Sequence, residues 1–180
     1  MSPVLPARFA APVIRPFDVV PTIHPLAPPD PTLTKLVTLV RALARNTRLW
    51  QPRVKFTETR YWTRLPAPDG VDVWLLTWLP EQGTELHDHG DSAAAFTVVG
   101  GTLTELRVDG DGELSAAELS SSAVRTVAPG VVHDVQNHHA VPAISIHAYA
   151  PALRRMTYYR LGDGGLEPTR TVLGDEPEKP

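Results

Sequence analysis

Gly83-Thr84-Glu85-Leu86-His87-Asp88-His89-Gly90-Asp91-Ser92 carries two histidines two positions apart. On an extended strand, side chains at i and i+2 leave the same face, so His87 and His89 can reach one ion together. The pair alone reads equally well as a polar surface turn. Its surroundings favour a ligand pair. An apolar run, Ala93 to Val99, follows directly, and a third histidine, His133, follows Pro129-Gly130-Val131-Val132 and precedes Val135. Imidazole is the commonest protein ligand for iron, zinc, copper and nickel. Three neutral nitrogens leave the ion's charge uncompensated and coordination positions open for chemistry.

Outward from this stretch the hydrophobic period is two. Val71, Val73 and Leu75 alternate with Asp72 and Trp74, and similar short runs occur at Ala95 to Val99, Leu103 to Val108, Val124 to Val127, Ala143 to Tyr149 and Met156 to Leu161. Turn signals separate them: Pro66-Ala-Pro-Asp-Gly70, Gly100-Gly101, Asp109-Gly-Asp-Gly112, Pro129-Gly130 and Gly162-Asp-Gly-Gly165. Short strands at regular intervals predict an all-β antiparallel sandwich or barrel. Upstream, Asp30-Pro31 reads as N-cap and first helical residue, and Leu33, Leu36, Val37, Val40, Leu43 and Ala44 follow at helical spacing. One amphipathic helix is expected to about Asn46. Eight prolines in residues 1–29 exclude a helix there and predict an extended or partly disordered arm. The expected organisation is a proline-rich arm (1–29), a helical segment packed on the barrel (30–50), one barrel domain (51–174) and a charged tail (175–180).

Composition narrows the function. The chain of 180 residues, 42% hydrophobic, suffices for one core. A formal charge of -3 and the lack of any Lys/Arg cluster interleaved with aromatics argue against nucleic acid as a partner. No apolar run approaches the roughly 20 residues of a membrane span, so a cytoplasmic protein with no membrane partner is expected, and as a monomer. With no cysteine in the chain, neither a thiolate ligand nor a cysteine nucleophile exists.

The two histidine stretches resemble the motifs of the cupin superfamily. The first cupin motif has HxH, then a carboxylate and a closing glycine, matched here by His87, His89 and Gly101. The second has a glycine, two residues, histidine, three residues and asparagine, matched by Gly130, His133 and Asn137. The leading glycine of the first motif is displaced to Gly83 and the proline of the second to Pro129. The resemblance implies a double-stranded β-helix, or jelly-roll, barrel with the site at its mouth. Where four-ligand cupins place glutamate, this chain has Ala93 and Ala94, so the fourth ligand is missing. Asp88 is a poor substitute, since on a regular strand it points away from both histidines.

A narrower resemblance comes from ordered strings: Tyr61-Trp62-Thr63-Arg64, His87-Asp-His89-Gly-Asp-Ser92, His133-Asp-Val-Gln-Asn137, and Ser145-Ile-His147-Ala-Tyr149-Ala-Pro151. Over about Arg60 to Leu161 the chain is similar to thiol dioxygenases, specifically bacterial cysteine dioxygenases. The likeness implies that His87, His89 and His133 hold Fe²⁺, that Ser145, His147 and Tyr149 form a hydrogen-bonded relay, and that Arg64 binds the substrate carboxylate beside Tyr149 and Trp62. It further implies a role in cysteine catabolism, with L-cysteine and O₂ as partners and cysteine sulfinate as product. Read without the resemblance, Ser145, His147 and Tyr149 are equally the polar side of a half-exposed strand, and Arg64 a solvated strand arginine. Two positions depart from the family. Ala94 stands where mammalian enzymes carry a cysteine crosslinked to the tyrosine, and Trp62 replaces a tyrosine that helps the arginine hold carboxylate.

The residue types suit that chemistry. Three facial imidazoles leave room for substrate and O₂, and a coordinated sulfur loses its proton well below the free thiol value of about 8.5. A guanidinium fork matches a carboxylate in two parallel hydrogen bonds. Alternatives are oxidation of another small thiol such as 3-mercaptopropionate, a non-catalytic ligand-sensing cupin, and a cupin isomerase or flavonol-type dioxygenase; the Ser145-His147-Tyr149 row argues against the last. His24, His138 and His139 read as solvated, Trp74 and Trp78 as core, and Glu85 and Asp134 as polar loop groups.

Overall fold

Val73 and Leu75 leave one face of a strand while Trp74, Leu76 and Trp78 leave the other, and all five are buried. A strand covered on both sides lies between two layers. The strand is β2 (Asp72–Trp78), and the layers are a helix on one side and a second sheet on the other. The computed structural model describes residues 30–108, 112–162 and 164–174. The expected proline-rich arm, the charged tail and most of the turn at 109–112 lie outside the described residues.

Among the described residues, eleven strands form two antiparallel sheets. They are β1 (Trp62–Arg64), β2, β3 (His87–Asp88), β4 (Ala93–Gly100), β5 (Thr102–Val108), β6 (Leu114–Ser120), β7 (Val124–Val127), β8 (His133–Gln136), β9 (Ala143–Ala150), β10 (Arg155–Gly162) and β11 (Gly165–Leu173). One sheet runs β1-β2-β9-β4-β7 and the other β11-β10-β3-β8-β5-β6. From β2 to β10 the chain crosses repeatedly from sheet to sheet, which is how a double-stranded β-helix winds. The inward faces share one core: Trp74, Leu76, Trp78, Phe96 and Val98 meet Leu103, Leu119, Val135, Met156 and Tyr158. Gly101 sits in the β4–β5 turn at φ +72°, and a Cβ there would meet the Pro142 carbonyl at 2.5 Å, so only glycine fits.

The helix α1 (Pro31–Arg45) covers the outer face of the first sheet. Asp30 caps it, its carboxylate accepting from the Thr32 N–H at 2.7 Å. Leu36, Val40 and Leu43 fall on one stripe and pack on Val73, Leu75, Ala95, Ile146 and Ala148. Past Asn46 the chain makes a short α2 (Thr47–Trp50) and a 3-10 turn (Gln51–Arg53), so the helical segment outlasts its periodic pattern. Among the described residues no helix is long and apolar enough to cross a membrane.

Candidate active site

β3 has only two residues, yet it carries the first histidine into the barrel. His87 lies opposite His133 of β8 and opposite Tyr158 of β10, so histidines 46 positions apart in sequence become cross-strand neighbours. His89 lies beyond the strand end, in a turn that passes through Gly90 at φ +58°. Alternation along a regular strand is therefore not what brings His89 round. Asp88 fixes the turn: one carboxylate oxygen accepts from the Gly90 N–H at 2.8 Å and the other from the Tyr159 hydroxyl at 2.6 Å. Asp88 thus points away from the histidines into a tie of its own.

A nitrogen from each of the three rings lies within 4.8 Å of the other two, and all three residues are buried. Nε2 of His87 and Nε2 of His89 are 3.2 Å apart. Two nitrogens each about 2.1 Å from one ion stand roughly 3.0 Å apart at a right angle and roughly 3.4 Å apart at a tetrahedral angle. The observed separation lies between these values. His87 donates from Nδ1 to the Glu85 carbonyl at 2.7 Å, and a carbonyl can only accept, so the Nε2 lone pair faces inward. The donor set fits a nitrogen-loving divalent metal.

His133 has a charged partner, Glu105, which the sequence reading passed over. Glu105 lies on the inward face of β5, and its side chain is fully buried. One oxygen takes His133 Nδ1 at 3.0 Å and Arg107 at 2.7 Å; the other takes Arg125 at 2.5 Å. Burial by itself would raise the carboxyl pKa. The hydrogen bonds from His133 and Arg107, with the Arg125 bond, outweigh it and hold the group down at about 2.

Strand register groups the remaining residues into rows. Arg64, Trp74, His147, Phe96 and Arg125 form one row across the first sheet, and Trp62, Leu76, Ser145 and Val98 the next. Asp72, Tyr149, Ala94 and Val127 form a third on the same inward face. The Tyr149 ring meets the His89 ring edge-on at 4.9 Å between centroids. Phe96 stacks on His147 at 4.7 Å and reaches His133 at 6.2 Å, bridging β9 to the cluster. Arg64 is exposed, and its guanidinium lies 4.5 Å over the Trp74 ring, with Trp62 edge-on to Trp74 at 4.9 Å.

Trp78 is buried core, as expected, and also takes part in the row of polar groups. Its Nε1–H donates to Ser145 Oγ at 2.9 Å, and Ser145 Oγ is 2.8 Å from His147 Nε2. Tryptophan only donates, so the serine oxygen accepts from it, and the same oxygen is hydrogen-bonded to Nε2 of His147. The His147 and Tyr149 rings lie 6.5 Å apart between centroids.

Two of the expected loop groups differ in kind. Asp134 is inside β8, buried, and accepts from Gln136 at 2.9 Å, and desolvation pushes its pKa up. Glu85 is in a loop, but pairs with Arg170 of β11 through both oxygens at 2.7 and 3.2 Å. His139 is half-buried beside Glu118 at 3.5 Å, more enclosed than a solvated turn histidine. His24 lies outside the described residues.

Comparison with known proteins agrees with this geometry. The family model for cysteine dioxygenase type I matches residues 31–161. Cysteine dioxygenase type 1 of Rattus norvegicus is 27% identical over 148 residues, covering 74% of this chain and 73% of the relative. The Danio rerio protein of the same name is 28% identical over 149 residues with the same coverage. Among solved structures, a Klebsiella pneumoniae protein with a double-stranded β-helix domain aligns with a TM-score of 0.50 and 18% identity, over 67% of this chain and 93% of its own. A protein of Thermus thermophilus aligns with the same score and 20% identity, over 56% of this chain and 92% of its own. These two likenesses speak to fold alone, and the fold is that of the cupins. The family match carries the chemistry further, to an enzyme of the thiol dioxygenase kind, a family that implies a metal cofactor, and the three histidines form a cluster that could hold one. The chain belongs to the cysteine dioxygenase type I family.

Proposed function

We propose that this enzyme oxidises L-cysteine with O₂ to cysteine sulfinate at Fe²⁺ held by His87, His89 and His133. The observation that carries the reading is the make-up of the cluster: three buried imidazoles, with no carboxylate among its members. Neutral ligands favour an anionic substrate sulfur, whereas an added carboxylate would lessen that demand. When bound, the metal supplies a site where sulfur sits as thiolate next to O₂. The thiol loses its proton, both oxygen atoms end on sulfur, sulfur gives up four electrons and O₂ takes four, so no further reductant is required.

The chain's own residues supply orientation. Arg64, 4.5 Å over the Trp74 ring at an exposed position of the inward face, receives the substrate carboxylate in a two-pronged hydrogen bond. Trp62 contributes an apolar wall and no hydroxyl, unlike the family's tyrosine. Tyr149, packed on His89, offers its phenol to the substrate side of the cluster, and Ser145 and Trp78 hold His147 behind it.

Oxygen uptake by iron-loaded protein, measured with L-cysteine, 3-mercaptopropionate and cysteamine in parallel, tests this. L-Cysteine is expected to give the highest kcat/KM with one O₂ consumed per sulfinate formed, and cysteamine, without a carboxylate, the lowest. Preference for 3-mercaptopropionate would change the substrate, and uptake with none of the three would overturn the reading.

A further inference from the structure

Glu105 is unusual for its position. The barrel interior is lined by Trp74, Leu76, Phe96, Leu103 and Val135, and a carboxylate with no exposed side-chain surface stands among them. Burying such a charge costs several kcal/mol, and apolar replacements of buried ion pairs are often neutral or stabilising. Stability alone is a weak reason for it. We infer that Glu105 is a positioning residue for the metal centre, fixing the ring of His133 and making it the most electron-rich of the site's ligands whose outer nitrogen is assigned. This inference rests on the metal-binding reading of the three histidines.

The geometry gives three steps. A carboxylate only accepts, so the 3.0 Å contact places the His133 proton on Nδ1 and turns the Nε2 lone pair toward His87 and His89. His87 makes the equivalent bond to the neutral Glu85 carbonyl, so an anion stands behind His133 and a dipole behind His87. A negative acceptor draws the N–H proton outward and raises the basicity of the opposite nitrogen. Arg107 and Arg125 complete the device. Each gives Glu105 one hydrogen bond, one from β5 and one from β7 of the other sheet, and Arg107 is itself tied to the Thr126 carbonyl at 2.8 Å. Their two positive charges balance the buried negative charge of Glu105, whose oxygen remains the acceptor for the His133 N–H. The ligand stays a neutral imidazole with enhanced donor strength.

The same contacts also clamp the two sheets together, so the test must separate a clamp from a positioning group. Glu105→Gln keeps an oxygen to accept from His133 and removes the charge. It is expected to weaken Fe²⁺ affinity, read by chelator competition, by about 10- to 100-fold and to raise the Fe³⁺/Fe²⁺ midpoint potential. In wild-type protein loaded with Zn²⁺, ¹⁵N-detected histidine NMR is expected to place the His133 proton on Nδ1. That measurement requires no variant and stands if Glu105→Gln does not fold. A variant that melts earlier but keeps wild-type affinity and potential reduces Glu105 to a clamp and overturns the inference. So does a His133 proton found on Nε2. Wild-type protein that binds no iron overturns the metal-binding reading as well, whereas iron bound equally by both proteins overturns only the role of Glu105.

Discussion

Ser145 shows how little of a residue's role resides in its own side chain. Its hydroxyl accepts from Trp78 and is hydrogen-bonded to His147, which fixes the position of a ring two residues along β9 from Tyr149. Ser145→Ala is expected to lower kcat about 10- to 100-fold while KM for L-cysteine stays near wild type, as steady-state oxygen uptake would read. Arg64→Ala removes charge-assisted bonds worth about 1.5–3 kcal/mol, so it is expected to raise KM by roughly 10- to 100-fold. An unchanged KM would remove Arg64 from the carboxylate site. His87, His89 and the Ser-His-Tyr row were legible because their spacing is local, and His133 because it follows a proline-glycine turn at a strand start. Glu105 was not. In Thr102-Leu-Thr-Glu-Leu-Arg-Val108 it looks like any polar alternate of a half-exposed strand, and only the pairing of β5 with β8 turns it inward beside His133.

At the scale of elements, two-residue β3 depends on its neighbours. Asp88 ties it to Tyr159 of β10 and to the Gly90 turn. Tyr159→Phe is expected to cost about 1 kcal/mol, a charged hydrogen bond discounted for partial exposure, and to lower metal affinity by loosening His89. Burial first, then the bond to Asp88 and its charge, push the Tyr159 phenol up to about 12. The folded state therefore holds a proton that the unfolded chain releases near pH 10. This contribution is whole below pH 10 and is lost between pH 10 and 12, and Tyr159→Phe should flatten that part of the stability profile. Three strands escaped the sequence pattern for identifiable reasons. β6 and β11 are sheet edges, mostly exposed, so they lack the apolar alternation that marks a buried face. Pro168 in β11 also reads as a strand breaker, and is tolerated there because the strand is an edge and the register shifts at Tyr158/Tyr159. β1 is three residues long and shows no period.

Among the described residues, two sheets enclose a packed core and a helix covers the outer face of one of them. Leu36→Ala on α1 is expected to cost about 2–5 kcal/mol by opening a cavity against the first sheet, readable as a lowered denaturation midpoint with iron content unchanged. An antiparallel sandwich or barrel was legible from the turn signals, and the double-stranded β-helix from the resemblance of the two histidine motifs to those of cupins. The covering of both faces of β2 was masked by reading the run as an alternation, whereas Val73 and Leu75 answer to the helix and Trp74 and Trp78 to the barrel interior. The central claim is that three imidazoles hold a metal whose remaining side is open to sulfur. Iron K-edge absorption of anaerobic, Fe²⁺-loaded protein before and after adding L-cysteine tests it most directly. Imidazole scattering alone before the addition, and an iron–sulfur shell after it, is the predicted result; scattering unchanged by L-cysteine would contradict the account.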